Sequence, residues 1–309
     1  MDRSVLRVRR FALVLVSCAA IVLFMAFGMG QERTINIIAF GAHPDDCDGR
    51  AAGVGAKWAA MGHHVRFVAV TNGDAGHQSQ GGGALARRRR DEAREAGKRI
   101  GVEYIVLDNH DAELLPTLEV RQQIIRQIRQ WNADLVLAPR PNDYHPDHRY
   151  TGVLLQDCAY MVTVPNVAPD TPALRKNPVF MYFQDGFQKP APFTPDIAVG
   201  IDDVIEKKLG ALDAHVSQFY EWMPWLDGIL EQVPKEAGAR KEWLRKRYMD
   251  SRETTPAVRQ ALVKWYGQET AKGMKYAEAF EICEYGRRPD KAELARLFPF
   301  FSEGAARGK

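Results

Sequence analysis

Cysteine is scarce in this chain, with four in 309 residues, and one of them lies in an N-terminal apolar run. The remaining Cys47, Cys158 and Cys283 are widely spaced, so they offer no disulfide framework and no Cys-x-x-Cys zinc site. A single 158–283 bridge and three buried free thiols both stay open. An excess of one charge is lacking too. Four of the 42 basic side chains and one of the 39 acidic ones fall within residues 1–30, which leaves the rest of the chain balanced. A neutral body excludes the basic surface that nucleic-acid binding needs. No Gly-x-Gly-x-x-Gly follows the first β-rich run and no Gly-x-x-x-x-Gly-Lys-[Ser/Thr] occurs anywhere, which excludes the usual nucleotide-binding loops. Internal repeats and low-complexity segments are also missing. With 46% hydrophobic and 26% charged residues the chain is neither fibrous nor disordered, and it is long enough to bury a large core.

The one long hydrophobic run is residues 11–30, twenty residues without a charge, preceded by Arg3, Arg7, Arg9 and Arg10. A basic stretch followed by such a run predicts a signal peptide or an N-terminal membrane anchor. Leu15, Val16, Ser17 and Cys18 also resemble a lipobox, which would make Cys18 a lipidated N-terminus. Each version places the body outside the cytoplasm, periplasmic, extracellular or membrane-anchored, with the arginines left inside. Any membrane contact is expected through this segment alone.

Beyond it, short β-branched runs alternate with helical stretches. Strands are predicted over 34–40, 64–71, 102–107 and 133–138, and helices over 51–61, 85–100 and 118–131. This alternation predicts an α/β fold, a Rossmann-like parallel sheet with helices on both faces. Further on, 150–161 and 202–220 read as helix and 179–183 and 196–201 as strand, with a loop-rich stretch over 165–195. From 221 onward the patches at 242–249, 257–265 and 291–298 read as helices. The expected organisation is therefore an export segment over 1–30, a catalytic domain over 31–220, and a mainly helical extension over 221–309 packed on it.

Ligand sites of parallel sheets lie at the carboxyl ends of the strands. After the first strand comes Gly41-Ala42-His43-Pro44-Asp45-Asp46, an imidazole and two carboxylates within four residues. After the fourth comes His145-Pro146-Asp147-His148. Both loops open on the same sheet edge, so His and carboxylate groups from the two can meet in one cleft. Two imidazoles and a carboxylate with a coordination position left open suit catalytic zinc, and suit non-haem Fe(II) equally.

These motifs carry a resemblance. AHPDD at 42–46, TNGDAGH at 71–77, Arg89 three residues before Glu92, HPDH at 145–148 and AHVSQ at 214–218 resemble the PIG-L type (LmbE-like) zinc-dependent N-acetylglucosaminyl deacetylases, in order and spacing from about residue 34 to 219. The stretch 275–281 resembles C-terminal extensions of bacterial members and is given no role. The resemblance implies that His43, Asp46 and His148 are the metal ligands and Asp45 the general base toward the attacking water. It implies His145 as a second catalytic group, stabilising the oxyanion or protonating the leaving amine. Asp147 is then expected to fix the His145 tautomer, to cap the following helix, or both. Arg89, Asp111 and Asp74 correspond to substrate-binding positions, although four consecutive arginines, 87–90, leave the register of the first open to a solvated helix face. His215 either lines the cleft or is a buried structural histidine, and His63, His64 and His77 are expected at the surface or in turns.

The expected activity is metal-dependent removal of the acetyl group from an N-acetylglucosamine-type amino sugar or glycan. A metal-dependent amidase or esterase on another acyl compound would use the same site, and a glycan-binding protein on the same fold is the non-catalytic alternative. Asp45 and His145 speak against the last, since a binding protein needs no base beside its metal. A homo-oligomer is left open.

Overall fold

The computed structural model describes residues 33–250 and 254–301; the expected export segment and Cys18 lie outside the described residues. From Ile35 onward the described chain is one compact unit. Among the described residues no helix is long and apolar enough to cross a membrane.

The first half follows the expected alternation: β1 (Asn36–Gly41), α1 (Asp46–Ala60), β2 (His64–Thr71), α2 (Gly82–Ile100), β3 (Glu103–Asn109), α3 (Leu118–Gln130), β4 (Leu135–Ala138) and α4 (Pro146–Met161). β5 (Val179–Phe183) and β6 (Ile197–Gly200) follow, and the sheet order is β3-β2-β1-β4-β5-β7-β6. The first five strands pair parallel. β7 (Ala277–Ile282) comes from the C-terminal part expected to be helical and enters antiparallel between β5 and β6. The sheet is therefore mixed, and the C-terminal part supplies one of its internal strands. Its sequence, Ala-Glu-Ala-Phe-Glu-Ile, is short and puts its two glutamates three positions apart on opposite faces, so it carries no period-2 pattern for periodicity to find.

Alternation along β1 explains the two-faced core. Ile37 and Ala39 point to one layer with Trp58 and Phe67. Ile38 and Phe40 point to the other with Ile124, Ile125 and Ile128 of α3 and Leu154 and Leu155 of α4. Both faces are covered, so β1 and β4 read as near-continuous apolar runs. The three cysteines are buried and free, with the Cys283 thiol accepting a bond from the Tyr182 hydroxyl at 3.0 Å, so no 158–283 bridge forms.

The stretch expected as one helix over 202–220 is broken. α5 (Ile205–Ala214) stops before His215, and after Val216 the chain winds through a π-helical turn, Ser217–Trp222, into the short helix Met223–Leu226. α6 (Ala237–Arg245), α7 (Pro256–Tyr266), a short helix over Gln268–Lys272 and α8 (Lys291–Leu297) follow in the C-terminal part. α8 is tied to α1 through the Trp58 indole N–H, which donates to Leu297 O at 2.9 Å. Phe298 is fully buried, with its ring 5.2 Å from Trp58 and 5.6 Å from Phe280. Phe298→Ala should therefore cost about 3–5 kcal/mol through lost burial and a residual cavity. Urea unfolding of the purified variant should show a clearly lower midpoint, and an unchanged midpoint would mean that the C-terminal end is not part of the core.

Candidate active site

The site lies where β1 and β4, hydrogen-bonded neighbours, release their chains at the same edge of the sheet. β1 runs into α1 across Gly41, where a Cβ would sit 2.6 Å from Asp46 Cβ; only a glycine lets the first turn of the helix come that close. The His43 backbone N–H donates to Asp46 Oδ2 at 2.8 Å, which fixes the carboxylate beside the imidazole. At the other loop His145 is the N-cap of α4, its Nδ1 accepting from Asp147 N at 3.2 Å, with Pro146 in the first turn.

His43, Asp46 and His148 are brought together. His43 Nδ1 lies 3.1 Å from His148 Nε2 and 3.6 Å from Asp46 Oδ2, and His148 Nε2 lies 3.4 Å from that same oxygen. A tetrahedral centre with bonds of about 2.0–2.1 Å has edges of roughly 3.3–3.4 Å, so the three donors are spaced as one face of such a centre. The outer nitrogens of both rings meet carboxylates. His43 Nε2 is 3.0 Å from Asp111 Oδ1 and 3.4 Å from Asp147 Oδ2, and His148 Nδ1 is 3.0 Å from Asp143 Oδ1. Carboxylates behind histidine ligands fix the ring and raise its basicity. The residues therefore fit a divalent cation such as zinc. His145 also brings a ring nitrogen within ligand range of the other two histidines.

Charge follows this geometry. Burial alone would lower the His43 pKa, but bonds to Asp111, Asp147 and Asp46 carry it well above its usual value. Burial likewise opposes the protonated His148, and Asp46 and Asp143 outweigh it, pushing the ring up to about 9. Asp46, half-buried beside both rings, is held well below the ordinary carboxylate range by them against the pull of its partial burial. His145 goes the other way: burial and the charges of His43 and His148 lower its pKa. A neutral His145 whose Nδ1 accepts the Asp147 amide carries its proton on Nε2, the nitrogen left for the cleft.

Asp45 sits next to the donor triad at the cleft floor and is only 7% exposed. Burial raises its pKa, and the Arg89 guanidinium, donating to its Oδ1 at 2.9 Å, works against that shift.

The other expected site residues are placed differently. The Asp147 carboxylate does not reach His145. It is fully buried and accepts from Ala112 N at 2.7 Å and Leu114 N at 3.3 Å, so the backbone N–H of Asp147 orients His145, and His145, not Asp147, caps α4. Arg89 is not on a solvated helix face. It is 2% exposed, with its donors on Asp45, Gly73 O and Asp111. Gly73, at φ +71°, leaves room for it, since a Cβ there would lie 2.6 Å from the guanidinium. Asp111 lines the cleft but is engaged by His43 and Arg89, which overcome burial and hold it at about 2. Asp74 accepts from Asp111 N at 3.0 Å and pairs with His110 at 2.7 Å, and so shapes the loop after β3. His215 is outside the cleft, fully buried with Nε2 2.9 Å from Asp48 Oδ2. His77 is no surface residue. Its Nδ1 accepts from Ser79 N and Gln80 N, and its Nε2 is 2.8 Å from Glu221.

Two features escaped the sequence reading. Asp143 stands two residues before His145, and its signal was there, a carboxylate beside a ligand motif. The cleft wall formed by Trp222, Met223 and Leu226 comes from the C-terminal part and has no local signal, whereas Gln218 beside them closes the AHVSQ motif. The cleft encloses about 400 Å³, with Tyr144 bordering it at 74% exposure.

Residues 38–159 match the PIG-L family, described as GlcNAc-PI de-N-acetylase. Over 215 residues the chain is 33% identical to a diacetylchitobiose deacetylase of Thermococcus kodakarensis, covering 64% of this chain and 77% of that one. The chain belongs to the PIG-L (LmbE-like) family. A probable N-acetyl-α-D-glucosaminyl L-malate deacetylase 2 of Bacillus anthracis is 26% identical over 70% of this chain and 93% of its own. The solved N,N′-diacetylchitobiose deacetylase of Pyrococcus horikoshii superposes with a TM-score of 0.60 at 26% identity, covering 81% of this chain and 84% of that one. The described site of this PIG-L protein thus sits in the part of the chain that the family match spans, and the apolar wall lies beyond it.

Because their carboxylate partners draw both His43 and His148 toward the protonated form in the metal-free cleft, cation binding must expel protons. Ligands whose pKa lies above the working pH lose affinity as pH falls, so zinc affinity should drop by up to about tenfold per pH unit for each proton displaced below pH 9. Calorimetric titration of the metal-free protein in buffers of different ionisation enthalpy should show one to two protons released at neutral pH. Zero release would exclude these rings as ligands.

Proposed function

We propose that the protein is an exported, zinc-dependent N-deacetylase that removes the acetyl group from an N-acetylglucosamine-type amino sugar. The observation that carries this reading is the donor triad of His43, Asp46 and His148, spaced as a tetrahedral face, with Asp45 and a neutral His145 beside it. The relatives named above support the substrate class, and residues 1–30, basic then apolar, support export.

A zinc ion held by the triad would supply Lewis-acid polarisation of a carbonyl and lower the pKa of water toward neutrality. The remaining work belongs to this chain's residues. Asp45 accepts the proton of the attacking water as oxygen adds to the acetyl carbon. The Nε2–H of His145 donates to the carbonyl oxygen as negative charge gathers there, and a neutral donor with a fixed ring costs no reorganisation at that moment. The proton on Asp45 then passes to the amide nitrogen, the C–N bond breaks, and acetate and free amine remain. Arg89 keeps the Asp45 carboxyl aimed and moderates the rise in its pKa that burial imposes. Because that burial raises it, base function is lost as pH falls through the raised value, which places the acidic limb of the profile on Asp45.

Acetate release measured on N-acetylglucosamine, chitooligosaccharides, peptidoglycan fragments and acylated lipids tests the activity. Asp45→Asn should lower turnover by about 10²–10⁴, the usual worth of general-base assistance, with zinc content by metal analysis unchanged. Near-normal turnover in that variant would place the base elsewhere. Fractionation of cells expressing the full chain should place it in the membrane or outside the cytoplasm, and recovery from the cytosol would overturn export.

A further inference from the structure

The wall opposite the catalytic floor is built from residues 217–226 and lies outside the stretch that matches the family. The π-helical turn widens the local spacing and sends Gln218, Trp222, Met223 and Leu226 to the same side, against the cleft. Such turns recur at functional sites because they redirect side chains that an α-helix would distribute. Trp222 and Trp225 stack with centroids 5.4 Å apart and planes 14° apart. Trp225 does not itself line the cleft but extends the stack outward from Trp222, and it is 49% exposed, with the cleft residue Leu226 58% exposed.

The segment is held firmly for a surface feature. The Arg88 guanidinium grips Glu221 through both oxygens at 2.6 and 2.7 Å, His77 shares that carboxylate, and Glu92 accepts from Ser217 N and Oγ. Gln218 Nε2 donates to Gly76 O at 3.1 Å. An exposed indole stack locked in place beside a polar floor presents one apolar face to a ligand whose other edges must be met by hydrogen bonds. A pyranose has that shape: a C–H face for an indole and hydroxyls around its rim. A hydrocarbon chain would call for apolar lining on all sides, whereas Asp45, Asp111, Arg89 and His145 face this wall across the cleft.

We infer that Trp222 and Trp225 form a platform for a second pyranose ring linked to the sugar that is deacetylated, so that the enzyme selects oligosaccharides over the free monosaccharide. The inference rests on the deacetylase reading for its catalytic readout but not for its binding readout. Acetate release is compared on N-acetylglucosamine and N,N′,N″-triacetylchitotriose, and tryptophan fluorescence is titrated with the trisaccharide in the metal-free protein. The wild type should prefer the trisaccharide, and Trp225→Ala should reduce that preference, as a ratio of kcat/KM values, by about tenfold, the effect of removing one stacked aromatic contact. Trp225→Phe should restore much of it, and the fluorescence response should weaken in Trp225→Ala. Trp225 is half exposed, so its removal leaves the core intact. An unchanged ratio together with an unchanged titration overturns the platform. A Trp225-dependent preference for a longer N-acyl chain over N-acetyl, with no dependence on the second sugar, also overturns it and assigns the wall to the acyl group. A Trp225-dependent titration in a protein that releases acetate from none of these sugars supports the platform and overturns the deacetylase reading instead.

Discussion

The pairing of β1 with β4 is the constraint on which the site depends. His43 and His148 are 105 residues apart in the chain, and their ring nitrogens stand 3.1 Å apart because two parallel neighbours end at the same sheet edge. Both strands are buried on both faces, and many fully buried apolar side chains in two layers hold that pairing. A relative shift of one residue would reverse the facing of every β1 side chain and separate the two loops. The site therefore draws its rigidity from the core and not from its own contacts.

Within that frame the site is an arrangement of negative charge around two imidazoles. Asp111, Asp147 and Asp143 stand behind the rings and Asp46 between them. Several carboxylates this close would repel one another without compensation, since burial disfavours each ionised form. Backbone N–H groups of Ala112 and Leu114 satisfy Asp147, and Arg89 serves both Asp111 and Asp45. What remains is a concentration of anionic donors facing one small volume, which a divalent cation relieves. The same field separates two neighbouring histidines: His148 is drawn toward the protonated state by its carboxylates, and His145, acted on most by the charges of the other two rings, is driven toward the neutral state that can donate from Nε2.

Legibility in the sequence followed the range of the signal. The strands and helices of the first half were readable because each carries its own period, and the two loop motifs because the chemistry is packed into four consecutive residues. Arg89 was open to a solvated reading because its neighbours Arg87, Arg88 and Arg90 mask the burial of one member of the run; its partners, Asp45 and Asp111, are 44 and 22 positions away. Asp74 was given a substrate-binding place and Asp147 a role at His145 or as a helix cap; in the structure both carboxylates accept backbone N–H groups of the loop after β3. Loop amides leave no trace in residue type, so no sequence pattern could have distinguished those roles. β7 was missed for a related reason: its six residues carry no period-2 alternation, and its place between β5 and β6 is decided by tertiary pairing.

The run of arginines on α2 shows how chemistry and recognition are kept separate. Arg89 points under the catalytic floor to Asp45, while Arg88, one residue earlier and turned by about 100° around the helix, reaches Glu221 on the C-terminal wall. One helix thus holds both Asp45 and the C-terminal wall. The floor is built from the part of the chain that the family match spans, and the wall comes from a segment beyond it. The two are joined through α2, through the loop bearing His77 and Gly76, and through His215 on Asp48 of α1, so a substitution in the wall that spares Ser217, Gln218 and Glu221 reshapes the cleft without breaking those ties.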